Sequence, residues 1–211
     1  MIVVMAKVPK AGAVKTRLVP LLGADGAAAL CRAMTEDVLD GVRASGLPFR
    51  IALSGNLADP WVRSLDAPVE RQCAGDLGAR LRHALRDGGI AIGTDAPTLP
   101  ATFLTDAAAS LGGHDAVWAP ALDGGYVLVG VRPTALGVFD EIPWSTAETL
   151  AASVARADAL GLRHARLPFW YDVDDPSGLR FVRNHLSTLP PDCAPRTRAF
   201  LQDLPDAPPH R

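Results

Sequence analysis

All three lysines of this chain, Lys7, Lys10 and Lys15, fall within nine residues, in the run Met5-Ala6-Lys7-Val8-Pro9-Lys10-Ala11-Gly12-Ala13-Val14-Lys15-Thr16-Arg17-Leu18. The other cations are eighteen arginines. The run follows an apolar opening, Ile2-Val3-Val4-Met5, that reads as a buried strand. A strand that empties into a loop with a glycine and lysines can seat an anion, because backbone N–H groups and a flexible ammonium meet it at the C-terminal edge of a sheet. Lysine brings a compact point charge where arginine brings a planar fork. A Walker A loop needs glycine directly before Lys-Ser/Thr, and Val14 stands before Lys15-Thr16. A dinucleotide fingerprint needs three spaced glycines, and only Gly12 is here. What remains is a phosphate loop in which Gly12 allows close approach, Pro9 stiffens, and Lys15 and Arg17 supply charge. The alternative is a solvated basic turn. Lys15 is expected to be exposed.

Acidic positions complement it. In Gly93-Thr94-Asp95 the preceding apolar strand carries no charge, so Asp95 stands where the chain leaves the core. A carboxylate there can hold Mg²⁺ against phosphate oxygens, since Mg²⁺ often takes one or two protein carboxylates plus ligand oxygens and water. The plainer reading is a cap for the next turn, shaped by Pro97. In Tyr171-Asp172-Val173-Asp174-Asp175-Pro176, residues two apart share a face if the chain is extended. Asp172 and Asp174 then repel unless a cation lies between them. Asp175 is occupied as an N-cap before Pro176. A metal or substrate role is favoured for at least one of the other two.

Asp123-Gly124-Gly125 is either a hairpin turn or a backbone lying against a ligand with Asp123 bonded to it. Gly75-Asp76-Leu77-Gly78 is either cap plus turn or a floor beneath a base or sugar. His83, His114, His164, His185 and His210 show no ligand spacing and read as surface or edge residues. Trp61, Trp118, Trp144 and Trp170 read as core or pocket wall. Cys73 has no flanking histidine, which argues against a thiol nucleophile.

The elements that must position these residues alternate. Helical spacing covers 24–44, with Leu30, Met34, Val38, Leu39 and Val42 on one face. Strands are expected at 49–53, 69–72, 90–92, 115–119, 126–129 and 163–167. Asp76 caps a helix to about Arg86, and Pro100 opens one to about Leu111. Ser145 and Glu148 form a capping box for a helix to about Leu160, and Asp175-Pro176 starts a helix through Leu186. The alternation predicts an α/β fold with a mixed, mostly parallel sheet and a ligand at the carboxyl ends of its strands. Residues 1–188 read as one domain. Residues 189–211 read as a Pro-rich tail, at the surface apart from a short turn near Phe200.

With 211 residues, 48% of them hydrophobic, the chain can bury a sizeable core. A formal net charge of −2 offers no global basic field for nucleic acid or an anionic membrane. Cys31, Cys73 and Cys193 are odd in number and unpaired in spacing, which fits a reducing cytoplasm and argues against a disulfide framework or zinc. The apolar start lacks a basic leader, unlike a signal peptide. No apolar run is expected to approach the roughly 20 residues that span a bilayer.

The pieces occur in a recognisable order. Ala6-Lys7-x-Pro9-x-Ala11-Gly12-x-x-Lys15-Thr16-Arg17-Leu18 is followed by Gln72-x-x-Gly75-Asp76-Leu77-Gly78-x-Arg80-Leu81. Then come Gly93-Thr94-Asp95-x-Pro97-x-Leu99, Pro120-Ala121-x-Asp123-Gly124-Gly125-Tyr126 and Asp172-Val173-Asp174. The set, over residues 1 to about 186, resembles the bacterial DUF2064 family, often labelled a glycosyltransferase associated with radical-SAM or arsenosugar gene clusters. That family looks like a branch of the GT-A, nucleotide-diphospho-sugar transferase superfamily. The opening loop is also similar to phospholactate and molybdenum-cofactor guanylyltransferases. GT-A glycosyltransferases usually place Asp-x-Asp at the middle strand end. Here that position reads Gly93-Thr94-Asp95, and the literal Asp-x-Asp comes late, at Asp172 and Asp174.

The resemblance implies a single-domain, Rossmann-like α/β/α fold. It also implies a cytoplasmic transferase dependent on Mg²⁺ (or Mn²⁺), with a nucleotide or nucleotide-sugar donor and a small-molecule acceptor. Glycosyl transfer is the leading expectation. Nucleotidyl transfer releasing pyrophosphate and a non-catalytic nucleotide-binding module are the alternatives. Lys15, Arg17 and Asp95 would be catalytic, with Asp95, Asp172 and Asp174 as metal ligands. Ala11, Gly12, Gly75, Asp76, Thr94, Asp123, Gly124 and Gly125 would line the substrates. No nucleic acid and no membrane span are implied.

Overall fold

The computed structural model describes residues 1–204. Seven strands form one sheet: β1 (Ile2–Lys7), β2 (Phe49–Ser54), β3 (Val69–Arg71), β4 (Gly89–Ile92), β5 (Ala116–Pro120), β6 (Tyr126–Val131) and β7 (His164–Arg166). Their order is β3-β2-β1-β4-β6-β5-β7. Every pairing is parallel except those of β6 with β4 and β5. The sheet is thus mixed and mostly parallel.

Period-two alternation decides which face each residue serves. Ile2, Val4 and Ala6 of β1 enter one core, with Ile90 and Ile92 of β4 and Val117 and Ala119 of β5. Val3, Ala91, Ala116 and Trp118 enter the core on the other face. Because both faces are covered by apolar side chains, β1, β4, β5 and β6 read as near-continuous apolar runs.

The helices are α1 (Val19–Ala44), α2 (Pro60–Arg63), α3 (Leu77–Ala84), α4 (Thr102–Ser110), α5 (Thr149–Ala159), α6 (Pro176–Thr188) and α7 (Pro195–Gln202). Short 3₁₀ segments span Thr16–Leu18 and Pro133–Phe139. In α1 the backbone breaks at Gly23, with φ 70°, so the apolar periodicity read from residue 24 marks the helix proper. Asp76 and Asp175 cap α3 and α6 as expected, accepting from the Ala79 and Gly178 amides.

Several expectations change. The Ser145/Glu148 capping box does not form, because Ser145 takes a left-handed φ of 62°. Glu148 is the N-cap of α5 and makes no side-chain cap bond. The Thr149 hydroxyl instead ties the turn, donating to the carbonyls of Pro143 and Thr146.

The segment from 189 is no loose tail as far as residue 204. There α7 lies on α1, the buried Asp37 carboxylate accepting from the Thr197 amide at 2.7 Å and pairing with Arg196. Leu201 and Ala194 join a third core with Leu30 and Met34. The rest of that expected tail, residues 205–211 with His210, lies outside the described residues.

Thr16–Ala44 is one stretch long and apolar enough, by length and composition, to cross a membrane. The expectation that no run approaches that length is corrected. The stretch gains its apolarity from core-facing Leu30, Met34 and Val38 together with several alanines.

Candidate active site

Parallel pairing sends the carboxyl ends of β1, β2 and β4 to one edge of the sheet, and antiparallel β6 begins there. Four segments therefore meet: the loop after β1, the turn after β4, the β5–β6 hairpin, and the strap Trp170–Asp174 beyond β7. The strap follows the end of β5, its Trp170 amide donating to the Pro120 carbonyl at 2.9 Å. It then crosses to the end of β4, where the Val173 amide donates to the Asp95 carbonyl at 2.7 Å.

Strap side chains alternate. Tyr171 and Val173 are buried, while Asp172 and Asp174 line an open cavity. The Tyr171 hydroxyl shares hydrogen bonds with Thr98 Oγ1 at 2.5 Å and His185 Nδ1 at 2.9 Å. His185, read from sequence as an ordinary surface or edge residue, thus helps to anchor the strap.

Lys15 sits at the meeting point in a left-handed backbone conformation, φ 46° and ψ 42°. That conformation is uncommon for a residue with a side chain. Its ammonium donates to Asp95 Oδ1 at 2.5 Å and to the Val173 carbonyl at 2.6 Å, and lies 3.5 Å from Asp174 Oδ1. The expectation of an exposed Lys15 is wrong, for its side chain is 4% exposed. Burial works to lower the ammonium's pKa, but the charge and hydrogen bond of Asp95, helped by Asp174, leave it above its ordinary value. Two of the three ammonium donors are taken by protein oxygens, and Asp174 Oδ1 is the next nearest acceptor. Arg17, 70% exposed, reaches Asp174 Oδ2 at 3.0 Å from the other side.

Two adjoining cavities share this corner. The first, about 520 Å³, reaches from the β1 loop and Thr94 to the start of α3. Lys7, Lys15, Arg17 and Arg80 line it, against two carboxylates, Asp95 and Asp174. The second, about 450 Å³, lies between the β5–β6 hairpin and the segment 144–149. There Arg17 alone faces four carboxylates, Asp95, Asp123, Asp172 and Asp174. The Asp172 carboxyl is pushed up to about 6, first by desolvation and then by the charges of Asp123, Asp95 and Asp174. A cationic chamber and an acidic chamber thus open on one another at Asp95 and Asp174.

The architecture matches known proteins. The model of the family described as "Uncharacterized protein conserved in bacteria (DUF2064)" matches residues 38–146. A solved structure from Desulfovibrio desulfuricans G20, provisionally named a nucleotide-diphospho-sugar transferase, is 30% identical with TM-score 0.87, covering 96% of this chain and 93% of that one. The chain belongs to the DUF2064 family. The fold extends further. CMP:2-keto-3-deoxy-manno-octonic acid synthetase complexed with CTP is 12% identical with TM-score 0.58, over 89% of this chain and 98% of that one. Rv0371C of Mycobacterium tuberculosis H37Rv, in complex with manganese, is 18% identical with TM-score 0.50, over 86% and 96% of the two chains. No curated protein matches the chain significantly.

In this DUF2064 protein the structure redistributes several residues expected at the site. Lys15, Arg17, Asp95 and Asp174 come together, and Asp172 joins the acidic chamber with Asp123 and Gly125. Ala11, Gly12, Gly75 and Asp76 line neither chamber. Gly12, at φ 75°, serves the turn itself, and the Asp76 carboxylate is engaged as the cap of α3. Gly124 lines neither chamber and answers to packing, since a Cβ there would lie 2.1 Å from the Ala147 carbonyl oxygen.

Trp144 is pocket wall, one of its two expected places, whereas sequence reading missed Gln72, Arg80, Tyr126 and Ser145 as cavity wall. Gln72 and Arg80 flank the glycine-bearing turn at Gly75, so that turn brings its neighbours rather than itself. Gln72 Nε2 donates to the Ala6 and Ala52 carbonyls, tying the end of β3 to β1 and β2. Cys31 also lines the cationic chamber. Burial pushes its thiol up to about 11, which rules it out as a ready nucleophile.

No group of three or more His, Cys, Asp or Glu side chains is assembled for a metal among the described residues. A pair of carboxylates converging on one ammonium nevertheless fits Mg²⁺ or Mn²⁺. Such hard cations take oxygen donors and often complete their shell with ligand oxygens and water.

Proposed function

We propose that this chain is a cytoplasmic, divalent-metal-dependent transferase that binds a nucleotide-activated sugar in the cationic chamber and an acceptor in the acidic one. The observation that carries the reading is the Lys15 ammonium buried between Asp95 and Asp174, where the two chambers meet. The nucleotide ligand of one fold relative, the manganese of another and the provisional name of the 30% identical relative support it.

In this reading Asp95 and Asp174 hold the metal. When bound, the metal offsets negative charge on the leaving phosphate. Lys15 and Arg17 orient the diphosphate and stabilise the charge that develops as the sugar C1–O bond breaks. Asp172 stands on the acceptor side only. It takes the proton of the acceptor hydroxyl as the new C1–O bond forms, and a carboxyl near pH 6 is well matched to that task. The nucleoside diphosphate leaves from the cationic chamber.

Nucleotidyl transfer is the second reading. Four cations around one chamber also suit a triphosphate, whose charge is larger. The released product separates the two. Incubation with Mn²⁺ and panels of nucleotide sugars and nucleoside triphosphates should release a nucleoside diphosphate from a sugar donor. Pyrophosphate from a triphosphate would favour the second reading, and neither product from any pair would overturn both.

A further inference from the structure

We infer that the acceptor is a hydroxyl-bearing molecule of monosaccharide size that carries a protonated amine and no phosphate or carboxylate. The inference rests on the transferase reading above and names the class of its second substrate. Its basis is the charge imbalance of the acidic chamber, where Arg17 alone faces four carboxylates. Arg17 is committed to Asp174, and a metal at Asp95 and Asp174 would offset those two. Asp123 and Asp172 remain. Among the described residues neither takes part in an ion pair, although both line the same 450 Å³ cavity.

Two uncompensated carboxylates repel an anion and accept hydrogen bonds from hydroxyl and ammonium donors. An acceptor phosphate would bring further negative charge against them, and no lysine lines this chamber. The rest of the wall agrees. Tyr126 and Trp144 pack edge to face at 6.4 Å and give the chamber an aromatic side. Such a surface accommodates the apolar face of a ring or an adjacent ammonium. The volume lies in the range of small-molecule sites.

Asp123 can be tested without dismantling the hairpin. Its Oδ1 accepts from the Gly125 amide at 2.8 Å, and Asp123→Asn keeps that acceptor while removing the charge. Binding of glucosamine, glucose and glucose 6-phosphate to the full chain with Mn²⁺ should be measured by calorimetry. Glucosamine should bind about tenfold tighter than glucose, and glucose 6-phosphate more weakly than either. Asp123→Asn should reduce the glucosamine advantage several-fold and leave glucose unchanged. Asp172→Asn is the second variant should the first fail to fold.

Glucose 6-phosphate binding tighter than glucose, or an amine preference indifferent to both substitutions, would overturn the inference. Nucleotide binding in the same samples reports separately on the parent reading. Loss of nucleotide binding with the amine preference intact would sink the transferase assignment alone. Nucleotide binding with a preference for the sugar phosphate would sink only the acceptor class.

Discussion

The Val173 amide donates to the Asp95 carbonyl at 2.7 Å, and the Val173 carbonyl in turn accepts from Lys15 Nζ at 2.6 Å. One strap residue thus fixes both the turn that carries Asp95 and the cation that neutralises it. The carboxylates on either side of Val173 are thereby held opposite Asp95, although the strap and that turn are far apart in the chain.

The anchor of that strap is testable. Tyr171→Phe keeps the ring packing and deletes the hydroxyl shared with Thr98 and His185. Losing a buried hydrogen bond and stranding the Thr98 hydroxyl should cost about 1 kcal/mol in urea unfolding. Mn²⁺ affinity, read by electron paramagnetic resonance, should weaken several-fold as the spacing of Asp95 and Asp174 loosens. Unchanged Mn²⁺ affinity in a destabilised variant would confine Tyr171 to packing.

Lys15→Ala should lower the melting temperature, because the ammonium is buried and its loss leaves Asp95 and Asp174 facing each other. A loss of about 2 kcal/mol is expected, below the full effect for a buried pair because Asp95 is 46% exposed. Mn²⁺ should restore more stability to this variant than to the wild type, which differential scanning calorimetry with and without the ion will show.

Burial first, and then the neighbouring carboxylates, disfavour the charged form of Asp172. Its folded pKa of about 6 lies above the ordinary value of 3.8, so between those values the folded chain binds more protons than the unfolded one. The Asp172 contribution therefore makes the fold less stable as pH rises from about 4 to about 6. Asp172→Asn should raise the melting temperature at pH 7 and flatten that slope. It should also lower turnover by about 100-fold if Asp172 is the base. Thermal melts across pH and a rate assay check the two arms. A variant no more stable than wild type at pH 7 would contradict this cost of a buried charge among carboxylates.

Gly124→Ala sets a backbone limit on the acidic chamber. A Cβ at 2.1 Å from the Ala147 oxygen, on a backbone with φ 89°, must displace the segment 144–149. Destabilisation of more than about 2 kcal/mol is expected in urea unfolding. A fully stable variant would mean that this segment yields easily.

Ending the chain after Thr188 should also be costly. The Asp37 side chain, 0% exposed, would lose the Thr197 amide and Arg196. A buried carboxylate left without partners destabilises by about 3 kcal/mol or more, measurable as a large drop in the urea midpoint.

The sequence determined the local rules. Its patterns placed all seven strands to within two residues at most of their ends, most plainly β1, β4, β5 and β6, whose two covered faces leave a continuous apolar signal. Asp76 and Asp175 announced their caps, and the alternation in 171–174 already put Asp172 and Asp174 on one face. The tertiary structure alone decided what faces what. Lys15 lies inside because a strap from the far end of the chain covers it, and no local pattern encodes that crossing. The helix Pro195–Gln202 looked like tail because its stability comes from Asp37 of α1 rather than from its own propensity. The division into a cationic and an acidic chamber arises from loops of distant strands sharing one sheet edge, where electrostatic neighbours are set by distance in space.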